Sequence, residues 1–161
     1  IRLCDYRDAT GRYDAIASIE MFEAVGERYW PLYFHTLRQR LKPGGRVGLQ
    51  VITVREDRWN TYRRGVDFIR KHVFPGGMLP SPGALRAGID RAGFRIVDEC
   101  RFGQGYSRTL REWHARFEGN WDRIAAQGFD ERFRRLWTLY LTASAGSFAG
   151  GNTDVAQITL E

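Results

Sequence analysis

The sequence predicts an α/β fold built on a largely parallel sheet. Three features predict it: an apolar run at Tyr13–Ile19, a helix-periodic stretch with Tyr33, Leu37 and Leu41 at i, i+4, and Lys42-Pro43-Gly44-Gly45 before a second apolar run at Arg46–Val54. Proline and glycine cannot continue the helix, so strand, helix, stop and strand follow one another through short connections, the pattern of a βαβ unit. The length of 161 residues, with 43% hydrophobic and 14% aromatic residues, suits one domain with an ordinary core. The chain therefore reads as one domain over residues 1–161.

Taken in order, Ile1–Cys4 reads as a short strand ended by the polar Asp5–Arg12 turn, and Tyr13–Ile19 as a second strand stopping at Glu20. After the helix around Tyr33 and the strand to Val54, the residues Trp59, Tyr62, Val66 and Ile69 mark one face of a further helix. His72–Pro82 is too rich in proline and glycine for a regular element and reads as a loop. Ser81 as cap and Pro82 at the first helical position start a helix running to Gly93. Phe94–Phe102 reads as a strand, Gly103–Tyr106 as a turn, and Ser107 as the cap of a helix striped with Leu110, Trp113, Phe117, Trp121 and Ile124. Asp130 caps a last long helix bearing Phe133, Trp137, Tyr140, Ser144 and Phe148, and Val155–Leu160 closes the chain as a strand.

Composition excludes several classes. The two cysteines, Cys4 and Cys100, each sit in a run that reads as strand, so neither a disulfide framework nor a cysteine zinc site is suggested, and a reducing compartment is the default. No metal site is expected. The longest uncharged stretch, Leu136–Thr153, is interrupted by polar residues and glycines, against the roughly 20 apolar residues that a membrane span requires. The N-terminal residues lack the basic-then-apolar layout of a signal peptide. The net charge of +6 is almost all arginine, since Lys42 and Lys71 are the two lysines among 25 basic residues. These arginines are dispersed and no nucleic-acid motif accompanies them; an anionic lipid surface remains a lead.

In open α/β sheets ligands gather where strands end at their carboxyl edge. That selects Asp5–Asp8, Glu20–Gly26, Gln50–Thr53 and Tyr106. Glu20 and Glu23 lie in an otherwise apolar run, where a charge needs a partner, and capping or a salt bridge competes with a functional role. Gln50 in an apolar strand must satisfy its amide, so a core hydrogen bond competes there.

At these positions the chain resembles the cyclopropane-fatty-acyl-phospholipid synthase family. The blocks that carry the resemblance are Ser18-Ile19-Glu20-Met21-Phe22-Glu23-Ala24-Val25-Gly26, Leu41–Gly45, Leu49–Thr53, Phe68–Ser81, Tyr106–Trp113 and Tyr140–Gly146, in the family's order and across essentially the whole chain. The resemblance implies the C-terminal part of a class I, Rossmann-like, S-adenosylmethionine-dependent methyltransferase sheet with inserted helices forming an acyl-chain pocket. It implies transfer of a methylene to the double bond of an unsaturated phospholipid acyl chain. The alkene takes the sulfonium methyl, and the resulting carbocation, shielded from water, loses a proton so that the ring closes.

The resemblance also assigns roles. Bicarbonate is the expected base, Glu23 accepts a hydrogen bond from its hydroxyl, Tyr106 donates to its oxygens, and Ile52 contributes backbone. Tyr6 and Arg7 cover the adenine, and Glu20 joins them on the cofactor side. Phe22, Phe74, Trp113, Phe117, Trp137 and Tyr140 are candidates for the acyl channel, with core packing the competing role for each. Gln50 stands where well-known members have histidine, and Ala24 where many do. An amide accepts and donates but does not titrate, so Gln50 is kept as a site residue and not as a base. The sequence holds no Gly-rich loop after a first strand and no acidic residue on a second strand for the ribose hydroxyls, so it reads as a partial catalytic domain, inactive alone. The expected setting is cytoplasmic, peripheral at the inner membrane face, with a homodimer formed through an exposed strand edge. A related methyltransferase with another acceptor and a non-catalytic basic module docking on membranes are the alternatives.

Overall fold

The computed structural model describes residues 1–161, and their contacts group into two compact units where the sequence reads as one: Ile1–Arg101 with Val155–Glu161, and Phe102–Asp154. In the first unit a four-stranded sheet forms from β1 (Tyr13–Ile19), β2 (Leu41–Val54), β3 (Ile96–Arg101) and β4 (Thr153–Leu160), in the order β1-β2-β4-β3. β1 and β2 pair in parallel from Ala15↔Arg46 to Ile19↔Gln50, and β3 and β4 pair antiparallel from Ile96↔Leu160 to Arg101↔Ala156.

The βαβ expectation is met by α2 (Trp30–Arg40), which leaves directly into β2 as Leu41 turns extended. Leu41, read as helical, opens β2, and the expected stop Lys42-Pro43-Gly44-Gly45 lies inside that strand, where Gly44 has φ +75° and a Cβ on Gly45 would sit 2.8 Å from the Asp14 carbonyl oxygen and 2.9 Å from the Leu41 side chain. Only glycine lets the two strands close there. Val47, Leu49 and Val51 alternate into the core and pack with Tyr33, Phe34 and Leu37 of α2, with Leu85 and Ile89 of α5 (Pro82–Arg91), and with Ile158 and Leu160. α2 and α5 approach so closely that a Cβ at Gly88 would lie 2.8 Å from Phe34 Cε2. Phe34 is fully buried and cannot yield. Gly88→Ala is therefore expected to lower stability by about 1–3 kcal/mol in urea unfolding.

Three expectations are corrected. Ile1–Cys4 forms no strand: these residues stay exposed and join no strand of the sheet. The single helix expected over Trp59–Ile69 is two, α3 (Trp59–Arg64) and α4 (Phe68–His72), because Gly65 is extended and Asp67 starts a new helix by accepting from the Arg70 N–H at 2.8 Å. Val66, expected on the buried face, is 69% exposed. Gly103–Tyr106 is not a turn but the opening of α6 (Gly103–Gly119), and Ser107 is a buried residue inside it rather than the cap. The orphan N–H of Gly103 instead reaches Asp154 Oδ1 at 2.9 Å, 51 residues away.

The second unit adds α7 (Trp121–Ala125) and α8 (Glu131–Ala149) to α6. Asp130 caps α8 as expected, accepting from the Phe133 N–H at 2.8 Å. Glu118 of α6 accepts from Arg134 Nε at 3.0 Å and Thr138 Oγ1 at 2.8 Å of α8, while Phe117 packs edge-on against Trp121 and Phe133. No helix is long and apolar enough to cross a membrane.

Candidate active site

β1 and β2 end side by side, and the chain leaving β1 turns sharply at Glu20, whose φ of +48° is the one positive value outside glycine. A left-handed residue with a long side chain costs about 1–2 kcal/mol and persists where its surroundings impose it. Here the Glu20 N–H is held by the Gln50 carbonyl at 2.9 Å, and Gln50 Nε2 donates to Glu20 Oε1 at 2.8 Å. Gln157 Nε2 of β4 donates to Gln50 Oε1 at 2.8 Å. Both ends of the Gln50 amide are thus engaged in a chain across three segments, Glu20, Gln50 and Gln157.

The turn delivers Glu23 to α1 (Phe22–Val25). Beside it Phe22 is buried at the centre of the core, stacked on Trp30 and edge-on to Tyr33, so core packing accounts for that aromatic. Glu23 Oε1 accepts the Ile52 backbone N–H at 2.5 Å, whereas Oε2 is buried with no partner. A buried carboxylate oxygen without a donor raises the cost of ionisation; burial, with a further contribution from the Glu20 charge, pushes the Glu23 pKa up to about 7. The result is a carboxyl group that exchanges its proton near neutrality at a defined atom.

Tyr6 and Arg7 lie in the one-turn segment Tyr6–Asp8, capped by Asp5, whose carboxyl is held down to about 2 by its hydrogen bonds with Arg7. The Tyr6 ring meets Tyr33 edge-on at 5.7 Å, and Tyr33 donates to Ser18 Oγ at 2.7 Å. Tyr6, Ser18, Ile19, Met21, Tyr33 and Arg40 are among the residues lining a cavity of about 350 Å³ along β1. Within the first unit, Glu20, Glu23, Gln50 and Ile52 converge, and Tyr6 approaches the same strand end through Tyr33. Tyr106 belongs to the second unit, where it packs on Phe102 at 5.7 Å and Phe148 at 5.3 Å. Phe133, Trp137 and Tyr140 form a ladder of ring contacts in that unit, and Trp113 is half exposed.

Two contributors escaped the sequence reading. Gln157 reads as an ordinary polar residue of a strand, and its one signal is being the lone amide in Val155–Leu160. Met78 contributes its backbone N–H, which donates to the Glu23 carbonyl at 2.8 Å; a main-chain contact leaves no mark in the side-chain pattern.

The donor set fits the expected small groups unevenly. Glu23 Oε2 suits the hydroxyl of a bicarbonate, but the Ile52 N–H already serves Glu23 and the Gln50 amide serves Glu20 and Gln157. For a nucleoside cofactor, Tyr6 and Glu20 can flank one side, and the chain's residues supply no Gly-rich phosphate-type turn.

Residues 1–158 match the family model described as mycolic acid cyclopropane synthetase. Tuberculostearic acid methyltransferase UfaA1 of Mycobacterium tuberculosis is 47% identical over 99% of the chain and 38% of its own length. The cyclopropane-fatty-acyl-phospholipid synthase of Escherichia coli K12 is 37% identical over 98% of the chain and 40% of its own length. The chain thus spans about two fifths of these relatives. Mycolic acid cyclopropane synthase CmaA1, solved with SAH and CTAB, superposes with a TM-score of 0.87 at 27% identity, over 96% of this chain and 57% of that one.

Proposed function

Because the chain belongs to the mycolic acid cyclopropane synthetase family, we propose that it forms the C-terminal portion of an S-adenosylmethionine-dependent methyltransferase acting on unsaturated lipid acyl chains. The specific reaction proposed is methylene transfer to the double bond of a phospholipid acyl chain, closing a cyclopropane ring. The observation that carries it is Glu23: a buried carboxyl with one oxygen pinned by Ile52 and the other open to a proton. When bound, S-adenosylmethionine supplies an electrophilic sulfonium methyl and bicarbonate an oxyanion base.

The chain's own residues do the rest of the work on this side of the site. Glu23 Oε2 accepts the hydrogen bond or proton released after methyl transfer, and its ionised form prevails above about pH 7. The Ile52 N–H keeps the carboxylate in one rotamer, and the Glu20–Gln50–Gln157 chain fixes the strand ends from which Glu23 projects. Tyr106 is assigned the second hydrogen-bonding role, and Tyr6, Arg7 and Glu20 the cofactor side. Trp137, Tyr140 and Phe117 are the aromatics proposed to meet the acyl chain. A lipid substrate and the surplus of arginine support a cytoplasmic enzyme peripheral to the inner membrane face, and the free side of β1 supports a homodimer or a covering segment.

The 47% identity to a tuberculostearic acid methyltransferase favours a second reading, methyl transfer to the acyl chain without ring closure. Product analysis separates the two. The parent enzyme, incubated with S-adenosylmethionine and vesicles of unsaturated phospholipid, is expected to add one carbon to the acyl chain, with cyclopropane proton signals replacing vinylic ones. A branch carbon with no ring supports the second reading, and an unmodified lipid removes both.

A further inference from the structure

The segment from Val73 to Pro80 joins α4 to α5 and belongs to no helix or strand, so its backbone groups depend on irregular partners. It finds them. The Gly77 N–H donates to the Phe74 carbonyl at 3.0 Å, the Leu79 N–H to Tyr62 Oη at 3.2 Å, and the Val54 N–H to the Pro80 carbonyl at 2.9 Å. One peptide unit in this strap is held on both sides: the Gly77 carbonyl accepts from Arg70 Nε at 2.9 Å, and the Met78 N–H donates to the Glu23 carbonyl at 2.8 Å.

Those two groups share a single rigid plane, because the carbonyl of Gly77 and the N–H of Met78 belong to the same amide. Turning one turns the other. Arg70 is built to hold that plane: its guanidinium also donates through Nη1 to the carbonyls of Tyr62 at 2.9 Å and Gly65 at 2.6 Å, and lies 5.1 Å from the centroid of the Tyr62 ring. Its backbone N–H goes to Asp67, and its guanidinium bonds run to main-chain carbonyls. A half-buried fork that serves three main-chain carbonyls and no carboxylate is a geometric device more than an electrostatic one. Charge-assisted donation also polarises the Gly77–Met78 amide and strengthens its hydrogen bond to Glu23.

We infer that Arg70 is a positioning residue for the reaction, fixing the main chain of Glu23 through the Gly77–Met78 peptide plane and so the direction in which Oε2 points. The inference rests on the reading of Glu23 given above. Without the fork, the plane is free to rotate, Glu23 loses its main-chain anchor and water reaches the carboxyl. The titratable groups that face Glu23 are Glu20 and Tyr33.

The experiment uses the parent enzyme with S-adenosylmethionine and unsaturated phospholipid vesicles, comparing Arg70→Met, Arg70→Lys and Glu23→Gln with the unaltered protein. Arg70→Met is expected to lower kcat about 10- to 100-fold with the KM for S-adenosylmethionine within about threefold, because orientation rather than cofactor binding is lost. The acid limb of its kcat profile is expected to move toward lower pH by about half a unit or more as water relieves the burial of Glu23. Arg70→Lys should fall between, since one ammonium cannot hold three carbonyls. A role confined to stapling the loop would lower Tm and leave the kcat and pH profile of the folded protein unchanged, and that result overturns the inference. If Arg70→Met is recovered unfolded, an unchanged kcat and pH limb in Arg70→Lys overturns it instead. Native turnover in Glu23→Gln would remove the reading of Glu23 itself; loss of turnover there with native Arg70 variants removes only the role of Arg70.

Discussion

Replacing Glu23 by glutamine is expected to lower the turnover of the parent enzyme about 10²- to 10³-fold while leaving the KM for S-adenosylmethionine within about threefold, because a positioned proton acceptor contributes on that scale. The substitution is nearly isosteric. The amide oxygen can still accept the Ile52 N–H, so the local fold is retained and the loss falls on the atom at the Oε2 position, which becomes a donor. Single-turnover measurement of labelled methyl release, beside product analysis, shows where the reaction stops. Release of S-adenosylhomocysteine at the native rate with abnormal lipid product would place Glu23 after methyl transfer. Native rates for both steps would remove it from the chemistry.

The same carboxyl predicts an inverted pH dependence of stability. Its folded pKa of about 7 lies above the ordinary carboxylate value of 4.5. Between those values the folded state binds more protons than the unfolded one, so stability falls as pH rises and the loss is complete above about pH 7. The full difference between the two values corresponds to roughly 3 kcal/mol, most of it falling between pH 5 and pH 8. Glu23→Gln removes this slope, and whatever fixed penalty its amide brings is the same at every pH. The difference in unfolding free energy between variant and unaltered protein, measured in urea at pH 5 and pH 8, should therefore change by about 2–3 kcal/mol in favour of the variant at the higher pH. An unchanging difference would mean that the carboxyl is solvated. On the role proposed for Glu23, this cost falls at the pH where its ionised form accepts a proton, a trade of stability for reactivity.

What the sequence revealed and what it hid divide along the range of the interactions. Tyr13–Ile19 folds within the bounds read from its apolar run, and Ser81 and Asp130 cap the helices they were assigned, accepting from Ala84 and Phe133. Each depends on residues within a few positions. A misread element depends on a distant one: α6 starts at Gly103, whose N–H is taken by Asp154, 51 residues away. The site shows the same division. Glu23 was conspicuous as a charge in an apolar run, but its contact with Ile52 spans 29 residues and the one between Gln50 and Gln157 spans 107. The sequence leaves Gln50 between a core hydrogen bond and a site role, and in the structure its amide has two protein partners.

The helices of residues 102–154 are inserted between two adjacent antiparallel strands, and Arg101 of β3 pairs directly with Ala156 of β4. The chain thus departs from the sheet and rejoins it at neighbouring positions, as a tight hairpin does. An insertion with this layout behaves as an interchangeable cassette: its length and lining can vary while the register of the framework strands, and with it the setting of Glu23, is preserved. Grafting the corresponding segment of a relative between Arg101 and Val155 is therefore expected to leave the β3–β4 pairing of the first unit intact.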